Sequence, residues 1–119
     1  MRSPTKKNLL PLLILALSFA TTGAHADPAV TQPRLEAAIK DLMSGNPDMS
    51  KYEPMLKIAI QQQQQKMNAY FAQSGKVTKI SFAGAQNGGD VFQVTFEHSV
   101  AAWWIQLAPN GNIAGLFFQ

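Results

Sequence analysis

Residues 88–107 read GGDVFQVTFEHSVAAWWIQL, and this stretch decides the fold. Phe92, Val94 and Phe96 recur at every second position, which places them on one face of a β-strand. A second apolar run follows after only two turn-forming residues. So short a connection predicts a hairpin of two antiparallel strands.

The two adjacent tryptophans of this stretch must point to opposite faces of the predicted sheet. A two-residue loop at His98-Ser99 pairs Val94 with Trp103, which assigns Trp103 to the core face. Trp104 then lies on the outer face. The two tryptophans therefore call for separate explanations.

Two further short runs, 77–83 and 112–118, complete a four-stranded antiparallel meander. Gln86-Asn87-Gly88 fits a three-residue loop with its glycine in the left-handed position. This loop pairs Phe82 with Phe92, apolar against apolar.

The register of the last strand has two solutions. A two-residue turn at Asn110-Gly111 directs Leu116 and Phe118 inward. A type I turn with Pro109 at its second position, followed by a bulge, directs both outward. Proline suits the second position of a type I turn, which favours the outward solution.

Two helices are predicted before the strands. After a short exposed leader at 27–32, an apolar stripe with helical spacing begins at Pro33 and ends before Gly45. A longer helix starts with the capping-box spacing at Ser50 and runs to Gly75. Its apolar stripe should continue at position 63 or 64, and both positions are glutamine.

Residues 1–26 have the composition of a secretory signal peptide: a basic start, an apolar run and a small-x-small ending at Ala24-His25-Ala26. We refer to them as the signal segment. The formal net charge of +3 lies entirely in this segment, because residues 27–119 carry seven basic and seven acidic side chains. The pattern predicts a periplasmic protein and gives no support for a nucleic-acid or membrane partner after cleavage.

Residues 33–119 are long enough for one small domain with a single core. The expected architecture is α+β, with two N-terminal helices, the second of them long, packed on one face of the four-stranded meander. No cysteine is present, so packing without disulfides must hold the domain together.

The C-terminal half resembles the cystatin-like, nuclear-transport-factor-like class of small secreted domains. The stretches that carry the resemblance are SGKVTKISFAG, GGDVFQVTFE, WWIQL and PNGNIAGLFF. The resemblance is one of pattern over residues 75–119 and brings no catalytic motif. It implies an α+β fold that hosts enzymes, transport factors and dimerisation modules alike.

The outer sheet face is the first candidate site. An exposed apolar patch marks an interaction surface, and the patch predicted here consists of Trp104, Leu116, Phe118 and Val100. It predicts a non-enzymatic module that binds itself, as a homodimer, or another envelope protein.

The alternative is a small cavity between the long helix and the core face, lined by Gln63, Gln64, Tyr70 and Trp103. It predicts a small-ligand binder or, less favoured, an enzyme. No catalytic constellation, metal-ligand set or cofactor motif is apparent in the sequence.

Overall fold

The computed structural model describes the backbone of residues 13–16 and the whole of residues 27–119. Within these residues the chain is α+β, with one antiparallel sheet in the order β1-β5-β4-β3-β2. The strands are β1 (Leu13–Ala16), β2 (Val77–Gln86), β3 (Gly89–Phe96), β4 (Val100–Leu107) and β5 (Ile113–Phe118). The helices are α1 (Pro28–Met43), α2 (Pro54–Gln62) and α3 (Gln64–Ser74), with a 3₁₀ turn at Met49–Lys51. The predicted four-strand meander corresponds to β2–β5.

Helix α1 begins earlier than the sequence predicts. The Asp27 carboxylate caps it by accepting a hydrogen bond from the Ala29 N–H at 3.1 Å, a preferred arrangement at a helix start. The exposed leader predicted at 27–32 is therefore wrong, because these residues form the cap and the first turn. Thr31 is buried inside the helix.

The single long helix predicted before the strands is two helices. The chain leaves helical geometry at Gln63, where φ is −108° and ψ is 11°. This is one of the two glutamines that interrupt the apolar stripe. The break allows α2 to lie against β5 while α3 packs against α1.

The predicted pairing of β2 with β3 is confirmed, since Phe82 lies opposite Phe92. The loop itself is shorter than predicted. Asn87 and Gly88 have φ of 51° and 79°, respectively, as the two central residues of a tight hairpin turn require. A bulge between Phe82 and Gly84 compensates for the missing loop residue and preserves the pairing.

The next hairpin is shifted by two residues from the predicted register. Phe96 N–H donates to Ser99 O at 2.7 Å, so Glu97 and His98 form the loop. Trp103 consequently lies opposite Phe92 rather than Val94. A shift of two leaves every side chain on its predicted face, and Trp103 is fully buried in the core.

The last hairpin contains the predicted turn. Gly111 N–H donates to Ala108 O at 2.8 Å, and the φ of Gly111 is +90°. Pro109 therefore occupies the second turn position, as expected.

The register favoured for β5 is nevertheless wrong. A second irregularity, between Gln106 and Leu107, shifts the pairing again. Leu116 and Phe118 therefore point into the core, where they are 0% and 1% exposed. Turn chemistry alone cannot reveal a bulge located within a strand.

Most of the predicted signal segment lies outside the described residues, in 1–12 and 17–26. The described part, β1, pairs antiparallel with β5, with Leu13 opposite Phe118 and Ala16 opposite Leu116. None of the described helices has the length and apolar composition needed to cross a membrane.

Candidate functional site

Trp104 lies on the outer face as predicted, but it is only 8% exposed. Its indole Nε1 donates a hydrogen bond to Gln86 O at 2.7 Å. The ring lies over Gly89, where an added Cβ would be 2.7 Å from Nε1. The side chain therefore packs against the turn end of the β2–β3 hairpin, which is a structural task.

The four residues of the predicted outer patch do not form a surface. Leu116 and Phe118 belong to the core, and Trp104 is covered. Only Val100, at 56% exposure, is freely accessible. A single exposed valine is ordinary for a protein surface and defines no docking site.

Side chains fill the space predicted as a ligand cavity. Trp103 stacks on Phe118 with ring centroids 3.9 Å apart and planes inclined by 9°. Phe71 lies on Trp103 with centroids at 6.2 Å, and Tyr70 contacts Phe118 at 4.8 Å. The cavity prediction is therefore wrong, because the aromatic residues form a packed cluster.

Two polar atoms remain inside this cluster, the Tyr70 hydroxyl and the Trp103 Nε1, and neither has a hydrogen-bond partner. Burial raises the pKa of Tyr70. The nearby Trp103 and Ser74 oppose that rise more weakly, although neither meets the geometry of a hydrogen bond. The hydroxyl thus stays protonated at neutral pH, and its apolar surroundings give it no reaction partner.

The two candidate glutamines lie at the junction between α2 and α3. Gln63 is half-buried at the break itself. Gln64 is half-buried, and its Nε2 donates to Asn68 Oδ1 at 2.9 Å along the exposed surface of α3. Gln64 therefore lies along a helix surface, away from the filled aromatic cluster.

Asp90 is a buried carboxylate at the start of β3. It is 0% exposed, and its Oδ2 accepts a hydrogen bond from the Thr31 hydroxyl at 2.6 Å. Its Oδ1 has no partner. The bond fixes the first turns of α1 to the start of β3, and burial isolates the carboxylate from any ligand.

An open groove lies between α1 and β2. Its volume is about 630 Å³, a size typical of sites for small organic ligands. The apolar part of its wall comes from the C-terminal half of α1 and the first half of β2, namely Ile39, Met43, Val77 and Ile80.

The charged part of the groove wall is strongly asymmetric. Three lysines, Lys40, Lys76 and Lys79, contribute to it, against the single carboxylate of Glu36. All four side chains are exposed, and no hydrogen bond or ion pair between them is found in the described part of the chain. The groove therefore combines an apolar floor with an excess of two positive charges at its rim.

The sequence contained a signal for this groove. Lys76 precedes Val77, and Lys79 precedes Ile80, at the start of the first predicted strand. Lysines on a strand of this kind indicate an edge strand. An edge strand whose inward residues extend beyond the covering helices leaves such a groove, but the position of α1 could not be derived from the sequence.

No group of histidine, cysteine and acidic residues within 13–16 and 27–119 is arranged to hold a metal ion. Comparison of the chain with family models, curated proteins and solved structures gave no match. The resemblance to cystatin-like domains therefore stays a prediction.

Proposed function

We propose that the protein is exported to the periplasm and there binds a small amphipathic anion in the groove between α1 and β2. The supporting observation is the combination of an apolar floor with three lysines at the rim. This is the small-ligand alternative of the sequence, at a different place from the one predicted. A cystatin-like domain without enzymatic activity would be consistent with this role.

The ligand class follows from the chemistry of the wall. Apolar side chains favour a hydrocarbon or aromatic body, which gains about 25 cal/mol for each Å² of apolar surface removed from water. The lysines favour a carboxylate, sulfonate or phosphate head at the rim. A medium-chain carboxylate has both features in one molecule.

A small molecule fits the groove better than a peptide that adds a strand to β2. The pairing of β2 with β3 is irregular between Val77 and Lys79, and again between Phe82 and Gly84. Bulges of this kind bend an edge strand and interrupt regular addition of a neighbour. Fewer than five regular residues remain between the two irregularities.

Binding without chemistry is the activity that the groove supports. Its walls contain one carboxylate, no histidine and no cysteine, and its lysines are exposed. Its one serine, Ser44, donates its hydroxyl to Asp41 O. Catalytic groups are usually held by neighbours in a partly closed site. The outer sheet face is less favoured as a partner surface, because Trp104 is covered there.

Calorimetric titration with decanoate tests the proposal. We expect saturable binding with a Kd on the order of 0.1 mM, as a ligand of this size in an open site would give. Decanol, which has the same chain without the charge, should bind at least about tenfold more weakly. Equal affinity for the two compounds would contradict a role for the lysines.

A pair of triple variants with equal net charge locates the site. Replacing the groove lysines by glutamine (Lys40→Gln, Lys76→Gln, Lys79→Gln) should weaken decanoate binding at least about tenfold. The control carries the same three substitutions at lysines outside the groove (Lys51→Gln, Lys57→Gln, Lys66→Gln). Similar losses in both variants would show a nonspecific charge effect and refute the proposed site.

A further inference from the structure

The two edges of the sheet are built differently. Edge strands in proteins usually carry charges or bulges that prevent pairing with other chains. β2 has both, with Lys79 in the strand and two irregularities along it. β5 reads IAGLFF and contains no charged residue and no proline. Apart from Ile113, whose carbonyl accepts a hydrogen bond from Glu53 N–H at 2.9 Å, the β5 edge therefore lacks the protection that the β2 edge has.

In the structure an extended segment covers the β5 edge. Residues Leu13–Ala16 pair with Leu116–Phe118 in antiparallel register. These residues belong to the apolar run of the predicted signal segment. Export with cleavage near Asp27 would remove this strand and expose the backbone groups that it pairs with.

We propose that the β5 edge of the cleaved protein pairs with the β5 edge of a second copy, antiparallel across a two-fold axis. The inference rests on the proposed export of the chain, but it is independent of ligand binding at the opposite edge. A strand pairing antiparallel with its own copy satisfies two-fold symmetry without a second kind of surface. Because β5 carries no charged residue, it has no group that would attract a charged partner.

Helix α2 provides additional apolar surface next to this edge. It contacts both β1 and β5, and its Met55 and Ile58 are 75% and 55% exposed. When two copies pair through β5, the α2 helix of each copy lies next to the paired strands. Burial of these side chains would add to the backbone hydrogen bonds of the paired strands.

The oligomeric state of the exported, cleaved protein tests the proposal. The full chain is expressed with its own signal segment, recovered from the cell envelope, and its N-terminus is determined by mass spectrometry. Light scattering after size exclusion should give twice the mass of the cleaved chain at 100 µM. Retention of residues 1–26, or a monomer at that concentration, overturns the proposal. Decanoate titration of the same sample tests the groove separately.

Two charge-introducing variants distinguish the edge from the outer face. Phe117 lies on β5 and is half-buried, whereas Val100 is exposed on β4 of the same face. Phe117→Lys should raise the dimer dissociation constant at least about tenfold, and Val100→Lys should leave it unchanged. Loss of the dimer in Val100→Lys, alone or together with Phe117→Lys, would assign the contact to the outer face and overturn the inference.

If Phe117→Lys does not fold, a competition experiment tests whether the dimer forms through the β5 edge. A peptide of residues 9–20 is added in excess to the cleaved wild-type protein. If the β5 edge forms the dimer, the peptide occupies it as β1 does and converts the dimer to a monomer. A dimer that persists at saturating peptide overturns the proposal.

Discussion

Replacing Thr31 by valine should destabilise the fold more than any other loss of a single hydroxyl among the described residues. Valine has nearly the same shape, so the packing of α1 is retained. The Asp90 carboxylate, however, loses the hydrogen bond of 2.6 Å from the threonine hydroxyl. Its other oxygen already has no partner, so the carboxyl group is left buried without a donor.

The magnitude follows from the burial of Asp90. A hydrogen bond to a charged group contributes about 1.5–3 kcal/mol, and leaving a buried charge unpaired costs about 3–5 kcal/mol. We therefore expect Thr31→Val to lower the free energy of unfolding by about 3 kcal/mol. That is a large share of the roughly 5–15 kcal/mol typical of a small domain.

Urea denaturation followed by far-UV circular dichroism measures the effect. The matched control is Thr78→Val, because the hydroxyl of Thr78 makes an exposed hydrogen bond with Thr95 O at 3.2 Å. This control should change the stability by less than about 0.5 kcal/mol. In an Asp90→Asn background, the loss caused by Thr31→Val should fall to about 1 kcal/mol, since a neutral acceptor replaces the carboxylate. A Thr31→Val protein as stable as the wild type would refute the argument.

Two further predictions concern the turn end of the β2–β3 hairpin and the loss of stability at alkaline pH. Gly89→Ala should lower the free energy of unfolding by about 1–3 kcal/mol, because the new Cβ would be 2.5 Å from Ile105 O and 2.7 Å from the Trp104 indole. Urea denaturation measures this loss, and an unchanged denaturation midpoint would contradict the contact. Burial, reinforced by Asp41, raises the pKa of Tyr52 from its ordinary value of 10.0. The unfolded chain therefore releases this proton first, and stability should decrease as the pH rises above about 10. Thermal unfolding between pH 9 and 11 should show a shallower decrease for Tyr52→Phe, and identical slopes would argue against the burial effect.

The strands were predictable from sequence because their alternation is local information. The pairing of Phe82 with Phe92 was correct because apolar rows on two strands must meet on the same face. The β5 register was wrong because the irregularity between Gln106 and Leu107 has no signature in the sequence. One residue of shift then placed Leu116 and Phe118 on the wrong face.

The predictions of the candidate sites were wrong for a related reason. Trp104 was correctly placed on the outer face, but its cover is the hairpin end that contains Gly89. That contact depends on where the β2–β3 turn lies relative to β4. Likewise, the sequence indicates an interruption of the apolar stripe at position 63 or 64, and the structure explains it as a helix break at Gln63 rather than a pocket.

The location of bound decanoate tests the central claim most directly. Backbone amide chemical shifts of the isotope-labelled protein can be followed by NMR during the titration. We expect the largest changes in two segments, 36–44 at the end of α1 and 76–80 at the start of β2, with saturation at one ligand per chain. Saturable changes centred on Val100 and the outer sheet face, with the α1–β2 groove unaffected, would contradict the account.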